Sequence, residues 1–271
     1  MSRRAWILAL AVVGTLAVPG PDATAADATI EDALRITKEL EAEFEKAQEE
    51  MYAQLAELRE TDDYKKLREA RDWQKLRELS GTISKPFNDT WRERIQIAGA
   101  PFAYAASEGE ILFGAMLIKT RLAGETAPAL IHKLVMAHPK SEHILPLAET
   151  LRYQHRGMDK AQFEAVLNTL IEHNPKTEVV AHAHFARASS LRRSDDPKAA
   201  EIRKASYAKV VELMPEDHIL SLKARGPEFA QTRLQIGMEV PDIAGVDLDG
   251  TDFKLSDYRG KVIMLDFWGD W

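Results

Sequence analysis

The chain has 271 residues, of which 45% are apolar, and its 36 basic and 43 acidic residues give a net charge of −7. This composition is that of a globular protein with one large or two ordinary domains. The acidic balance argues against nucleic acid or an anionic membrane as a partner. The sequence contains no cysteine, which excludes a disulfide framework, a thiolate metal site and a thiol nucleophile within these residues.

Residues 1–25 have the organisation of a secretory signal peptide. A basic start at Ser2–Arg4 precedes an apolar run, Ala5–Val18, and Ala23–Ala25 forms a small-x-small cleavage site. The apolar run is shorter than the roughly 20 residues needed to cross a bilayer. We therefore expect cleavage before Ala26, no stable membrane anchor afterwards, and export to the periplasm or the medium, an oxidising compartment.

Residues 26–106 form a charged helical region. Apolar residues recur every three or four positions over Leu40–Leu58, which predicts one long amphipathic helix. Thr61 can cap a second helix, which we expect Gly81 to end. A third helix is expected to begin behind Ser84 and to be broken by Pro101.

Two interpretations of this charged region are open. The short link between its first two helices predicts an antiparallel hairpin that is solvated and folds onto the rest of the protein. A coiled coil over Glu39–Arg94 that binds a partner is the alternative.

Residues 107–225 contain a repeated turn. Ala137–Glu142 returns as His173–Glu178 and is echoed at Leu213–Asp217, and each copy ends a helix with a proline. The predicted helical hairpins are Glu108–Ala123 with Ala127–Ala137, Glu142–Arg156 with Lys160–His173, and Glu178–Arg192 with Lys198–Leu213. The period is typical of a tetratricopeptide-like (TPR-like) stack, although the Trp-x-x-Leu-Gly part of that signature is absent.

The rest of the chain is expected to comprise a linker at 226–236 and an incomplete α/β domain at 237–271. Asp249-Gly250 is a tight-turn signal between two strand-like runs, Ile243–Leu248 and Thr251–Leu255. The apolar run Val262–Phe267 is expected to be a central strand buried on both faces. Asp266 lies inside it. A buried carboxylate is costly unless it is paired, protonated or used in chemistry, so Asp266 is a candidate functional residue.

The order of these motifs resembles the opening of thioredoxin-like redoxin domains of the TlpA-like and AhpC/TSA group. The matching segments are Val240-Pro241-Asp242, Asp249-Gly250, Leu255-Ser256-Asp257-Tyr258-Arg259-Gly260-Lys261 and Asp266-Phe267-Trp268. In the TlpA-like branch, the residue after the position matching Trp271 is the first cysteine of a Cys-x-x-Cys motif. The resemblance therefore implies a chain truncated just before that motif. A helical region behind a signal peptide also resembles the front half of some exported TlpA-like proteins.

The expected fold is thus mostly α, with helical hairpins in a TPR-like stack followed by the β-hairpin and first central strand of a thioredoxin-like domain. By resemblance, Asp266 would lie beneath the cysteine pair as a buried proton acceptor, and Trp268 and Trp271 would flank the pair. Desolvation raises the pKa of a carboxyl group, which suits proton exchange with a thiol. A strand-end Asp266 at the surface is the alternative.

No metal or cofactor is expected. His182 and His184 are two residues apart on a helix, so their imidazoles point roughly 200° apart and cannot share an ion. Glu178 and His182 have the i, i+4 spacing of a helical metal site, but two ligands are too few. His138 and His173 lie at helix C-termini, where capping is the expected role.

Three functions are open. The first is an exported thiol–disulfide oxidoreductase of the TlpA-like kind, which exchanges disulfides with a protein partner; this cysteine-free chain is then expected to be inactive. The second is a peroxide-reducing redoxin of the AhpC/TSA kind, whose reactive cysteine lies elsewhere. The segment Trp268–Trp271 favours the first. The third is a secreted helical-repeat binding module without enzymatic activity.

Overall fold

The structure is a computed structural model that describes residues 29–267. The predicted signal peptide, Trp268 and Trp271 lie outside these residues. The described part is mostly helical, as the sequence predicts. Its helices are α1 (Ile30–Glu60), α2 (Asp62–Glu69), α3 (Trp73–Tyr104), α4 (Gly109–Lys119), α5 (Ala127–Ala137), α6 (Leu145–Gln154), α7 (Lys160–His173), α8 (Thr177–Ser190), α9 (Pro197–Leu213) and α10 (Ile219–Arg233). Its strands are β1 (Ala244–Val246) and β2 (Asp252–Lys254).

Helices α1 and α3 pack against each other and against α4. Phe44 of α1 and Trp91 of α3 are both buried and meet edge to face, with ring centroids 5.3 Å apart. Beside them, Arg94 donates a hydrogen bond to Glu43 at 2.6 Å. The long helices α1 and α3 therefore fold onto the body of the protein. The hairpin interpretation predicts this placement but pairs the first helix with the second, whereas the long partner of α1 is α3.

The predicted boundaries within this region are wrong in two places. The second helix ends at Glu69 rather than at Gly81, because Arg71 adopts a left-handed backbone conformation with φ of 54°. Asp72 then starts α3 by accepting a hydrogen bond from the Lys75 N–H at 3.1 Å. Helix α3 continues through Gly81 to Tyr104.

Helix α3 also contains Pro86 and Pro101, the second of which was expected to break it. Glycine in a helix costs about 1 kcal/mol relative to alanine, and an interior proline about 3 kcal/mol. Burial offsets these costs, since full burial of a large apolar side chain contributes about 1.5–3 kcal/mol. The buried apolar side chains of α3 are Leu76, Trp91, Ile95, Ala98 and Phe102.

The six helices predicted for residues 107–225 are all present as α4 to α9. Helices α5 and α7 have the predicted bounds, and the other four differ from them by one to four residues at their ends. Helix α6 packs against α4 and α8, α5 packs against α7, and α8 packs against α9. Helix α4 is the most buried of them, and a Cβ added at Gly114 would clash with Leu134 of α5.

The repeated turns interlock. The Asn174 side chain, in the second copy, donates hydrogen bonds to the backbone carbonyls of Pro139 and Ser141 in the first copy, at 2.7 and 3.2 Å. Asn174 and Ser141 are both buried. In the same pair of turns, Lys176 Nζ donates to the backbone carbonyl of Glu142 at 3.1 Å. The sequence repeat is therefore also a structural contact between neighbouring hairpins.

Three pairs of polar side chains lie at the same end of the hairpins as these turns. In each pair, a glutamate at or just before the start of one helix meets a basic side chain from the turn that follows the next helix. The distances from the basic nitrogen to the nearest carboxylate oxygen are 2.9 Å for Glu110 with His138, 3.8 Å for Glu142 with Lys176, and 3.7 Å for Glu178 with His218. The first pair is nearly buried, and Lys133 also donates to Glu110 at 3.1 Å.

The stretch expected to be a linker is largely helical. Helix α10 runs through Gly226 and Pro227 to Arg233, so the helical periodicity does not lapse where the sequence indicated. The first turns of α10 hold it in place, since Leu220, Ser221 and Ala224 are buried against α8 and α9.

The C-terminal hairpin forms as predicted. Strands β1 and β2 are antiparallel, with Gly245 opposite Phe253, and Gly250 supplies the positive φ of 80° that the turn requires. The run Val262–Phe267, however, forms no strand, and Val262 and Met264 are 105% and 93% exposed. A strand buried on both faces needs neighbouring strands and covering helices, and the described residues place neither against this segment.

Candidate functional site

The C-terminal motifs meet in one compact set of turns. The Asp242 carboxylate accepts two hydrogen bonds from Ser256, one from its backbone N–H and one from its hydroxyl, both at 2.8 Å. Next to them, the Leu255 N–H donates to the carbonyl of Ile243 at 2.9 Å. The Pro-Asp entry is thereby joined to the Leu-Ser-Asp segment 14 residues later.

The other motif residues complete this arrangement. Asp257 accepts a hydrogen bond from the Lys254 N–H at 2.8 Å and so caps the 3₁₀ turn Leu255–Tyr258. Arg259 donates to Glu239 at 3.1 Å, and the Lys261 ammonium lies 5.7 Å from the centre of the Tyr258 ring. The hydrogen bonds of Asp242 and Asp257 fix turns, and the contacts of Arg259 and Lys261 lie at the surface. The motif residues described here therefore position the backbone rather than form a set of acid and base groups.

The turn of the hairpin depends on Asp247, which was not among the residues predicted to be important. Asp247 accepts hydrogen bonds from the N–H groups of Asp249 and Thr251, at 2.9 and 2.8 Å. An aspartate two residues before Asp-Gly is the sequence signal of such an Asx turn.

Hydrogen bonds from the Ser256 N–H and hydroxyl lower the pKa of Asp242 below its ordinary value. Asp242 is exposed. Because the pKa is lower in the folded protein, these bonds stabilise the turn above the pKa of the unfolded chain, and this stabilisation is lost as the pH falls through the folded value.

Asp266 is exposed in the structure and is not buried in a strand. The described residues therefore do not show the buried position that the resemblance implies for this carboxylate. Trp268 and Trp271 lie outside the described residues, so the structure does not bring the three candidate residues together. The role of Asp266 stays a prediction about a complete domain.

The two histidines of α8 have separate surroundings. His182 lies near Glu178 and His218, and burial lowers its pKa below 6.5, with nearby positive charges acting in the same direction. The pKa of His184 is lowered by burial and by Arg187. The buried Nδ1 atom of His184 has no hydrogen-bond partner among residues 29–267.

The histidines at the helix ends differ from each other. The His173 ring contacts the carbonyl of Thr169 at 3.1 Å, which is the expected capping role. His138 ends α5 with its backbone, but its ring pairs with Glu110 of α4 instead. The expectation of a simple cap at His138 is therefore wrong, because a buried carboxylate lies within reach.

Within residues 29–267, the side chains of His, Asp and Glu form no group of three or more that could hold a metal ion. Over the same residues, we find no helix whose length and apolar content would let it span a membrane.

Comparison with known proteins gives short local similarities. The chain is 46% identical over 41 residues to the thiol-disulfide oxidoreductase ResA of Geobacillus kaustophilus, which is 15% of this chain and 24% of that protein. The ResA protein of Bacillus thuringiensis subsp. konkukian is 39% identical over 41 residues, with the same shares. That of Bacillus anthracis is 44% identical over 39 residues, covering 14% of this chain and 22% of the relative.

No family model matches the chain, and no solved structure matches it. The chain spans about a quarter of the length of the curated relatives it matches. These similarities support a thioredoxin-like redox relationship at the level of the family.

Proposed function

We propose that residues 237–271 are the opening of a thioredoxin-like domain of the TlpA-like kind. The complete protein would then be an exported thiol–disulfide oxidoreductase that acts on protein thiols or disulfides. A thiolate attacks a disulfide sulfur in such an exchange, and a second cysteine resolves the mixed disulfide. The 271 residues contain no cysteine, so they cannot perform this exchange by themselves.

One observation carries the proposal. The Asp242–Ser256 contact joins the two motifs that the resemblance matched from sequence alone, and the hairpin forms between them. These turns lead the chain directly to Val262–Phe267. In a complete domain this segment would be the first central strand and would place Asp266 near the cysteine pair.

We further propose that α4 to α9 are a TPR-like stack. Two observations favour it: the interlocked turns around Asn174 and the polar pair that recurs in each hairpin, between the start of its first helix and the turn after its second. Export is also part of the proposal, based on residues 1–25. Mass spectrometry of the secreted or periplasmic protein should find Ala26 at its N-terminus, and a retained Met1 or Ser2 would contradict it.

A chimera tests the redoxin proposal. The 271-residue chain is fused to the part of Geobacillus kaustophilus ResA that follows the segment similar to this chain. The control fuses residues 1–236 to the same part of ResA. We expect the first protein to accelerate insulin reduction by dithiothreitol and the control to remain at the uncatalysed rate. Asp266→Asn in the active chimera should lower the rate by about 100-fold if this carboxylate moves the proton.

The outcomes separate the alternatives. Equal activity of the chimera and its control, or an inactive chimera with a native circular dichroism spectrum, would overturn the proposal that residues 237–271 open the domain. Consumption of hydrogen peroxide without insulin reduction would favour the peroxide-reducing redoxin instead.

A further inference from the structure

Helix α10 is attached to the repeats through its first two turns. Its buried side chains, Leu220, Ser221 and Ala224, all lie in these turns. The two apolar ones belong to a small cluster, separate from the main core, whose other buried members are Ala181, Phe185 and Val210. Because this cluster is small and separate, α10 can open while the main core stays closed.

His218 caps the first turn of α10. Its Nδ1 atom accepts a hydrogen bond from the Leu220 N–H at 3.2 Å. A ring nitrogen that accepts a hydrogen bond carries no proton, whereas an imidazolium has an N–H at both positions and accepts none. Protonation of His218 therefore removes the cap. It also places a positive charge at the N-terminus of α10, where the helix dipole disfavours it.

This cap differs in kind from those of the neighbouring helices. The carboxylates of Asp159 and Asp196 cap α7 and α9, and a carboxylate accepts hydrogen bonds in its charged form. Histidine is the side chain that ordinarily changes its charge between about pH 5 and 8. The start of α10 thus depends on a cap of the type that responds to pH near neutrality.

A second histidine lies in the same place. The Nε2 atom of His218 is 3.7 Å from a carboxylate oxygen of Glu178, and His182 follows Glu178 by one turn of α8. Burial lowers the pKa of His182. Glu178 opposes this shift, and the positive charges of His218, Arg152 and Lys223 add to it. One carboxylate therefore faces two histidines and two permanent cations, so it compensates only part of the charge that acid adds.

The other acidic residues near this turn offer little further compensation. Glu216 forms an ion pair with Arg225 of α10 at 3.0 Å. At the end of α9, Glu212 pairs with Lys209 at 2.7 Å. Asp217 is exposed, and solvent weakens the attraction between exposed charges. Protonation of both histidines thus leaves a net positive charge where α10 begins.

We propose that His182 and His218 make the attachment of α10 sensitive to pH. The neutral rings hold the helix on α8 and α9, and their protonation loosens it through loss of the cap and repulsion between the rings. Helix α10 connects the repeats to residues 237–267, so its loosening gives these residues more freedom to move away from the repeats. The inference rests neither on the proposed redox function nor on export.

Amide hydrogen exchange of the whole chain tests the proposal, at about pH 7.5 and 5.5, with correction for the intrinsic effect of pH on exchange. We expect the opening of residues 223–226 to increase about tenfold at the lower pH, because a cap is lost and an unfavourable charge appears. His218→Asn supplies a cap that does not titrate, and His182→Gln removes the second charge. This double variant should stay protected at the higher pH and change by less than about twofold.

Two further variants complete the comparison. His173→Asn is the matched control, because His173 is an exposed histidine at the end of α7, and it should retain the full increase. His218→Asn alone should show a smaller increase than this control, and it gives the same test if the double variant does not fold.

Urea distinguishes local opening of α10 from unfolding of the whole protein. Low concentrations should accelerate exchange in α7, which requires exposure of the main core, and leave that of residues 223–226 nearly unchanged. A urea dependence equal to that of α7 would overturn the proposal. Equal opening of α10 at the two pH values in the unmodified chain would also overturn it, as would a full increase in the His218→Asn variants with native circular dichroism.

Discussion

The helical repeats and the C-terminal unit are built in different ways. In α4 to α9 the apolar side chains are enclosed, and Ile131, Leu147, Leu151 and Leu167 are almost fully buried. In residues 237–267 the turns have well-formed hydrogen bonds, but the apolar side chains are largely exposed. The repeats therefore have both local order and a core, whereas the C-terminal unit has local order alone. Hydrogen-bonded turns can form from nearby residues, but a core requires elements from the whole domain.

The largest expected effect appears when the same substitution, leucine to aspartate, is made once in each of the two regions. Leu151→Asp places a charge in the buried seam of α6, since Leu151 is 0% exposed. We expect the free energy of unfolding to fall by more than about 4 kcal/mol, or the protein to be unfolded. Leu248→Asp, at a fully exposed position, should change it by less than about 0.5 kcal/mol. Urea titration measures both, and equal effects would contradict the contrast between the regions.

A smaller effect is expected at the interlocked turns. Asn174→Ala leaves the carbonyls of Pro139 and Ser141 without their donor in a buried site. Such a loss should lower the free energy of unfolding by about 1–3 kcal/mol. Gln162→Ala is the control, because Gln162 is an exposed amide side chain on the adjoining helix α7. A loss for Asn174→Ala no larger than that of the control would show that the turns contribute no coupling between hairpins.

The pH dependence of stability should reflect His182 and His184. Burial lowers both pKa values in the folded protein below 6.5, so the unfolded chain takes up protons first as the pH falls. Stability contributed by these groups is therefore complete above about pH 6.5 and declines below it. His182→Gln with His184→Gln should flatten the dependence of the urea midpoint on pH between about 7 and 5. An unchanged slope would mean that other groups cause the decline.

Removal of residues 237–271 should have the smallest effect. Because the unit contributes exposed rather than buried apolar side chains, we expect the melting temperature of the helices to change by only a few degrees. Solubility should improve, since Val262–Leu265 is an exposed, apolar, uncharged and strand-prone run. Calorimetry and sedimentation measure these changes. A large fall in melting temperature would show that the unit is part of the helical core.

The sequence predicted the elements that depend on local signals. The helices of the repeats follow from apolar periodicity and from the proline-containing turns, and the hairpin follows from Asp249-Gly250. Errors arose where distant contacts outweigh a local signal. Packing against α1 and α4 keeps α3 helical through Gly81 and Pro86. Contacts with α8 and α9 hold the first turns of α10, and the helix continues from them through Gly226 and Pro227.

The candidate site was predictable only in part. The resemblance located the motif segments, and Asp242, Ser256 and Asp257 do come together. Their pairing was not readable from spacing, because 14 residues of hairpin separate Asp242 from Ser256. The burial of Asp266 was expected from its apolar neighbours, but burial depends on strands and helices that the described residues do not place around it.

Amide hydrogen exchange of the whole chain tests the contrast between the two regions most directly. Amides in α7, which is enclosed by the repeats, should exchange only through opening of the core and be strongly protected. Those of Val262–Leu265, which form no ladder of hydrogen bonds in the structure, should exchange at nearly the rate of an unfolded chain. Protection of Val262–Leu265 equal to that of α7 would show that the segment is part of a formed sheet, and it would contradict a C-terminal unit with local order but no core.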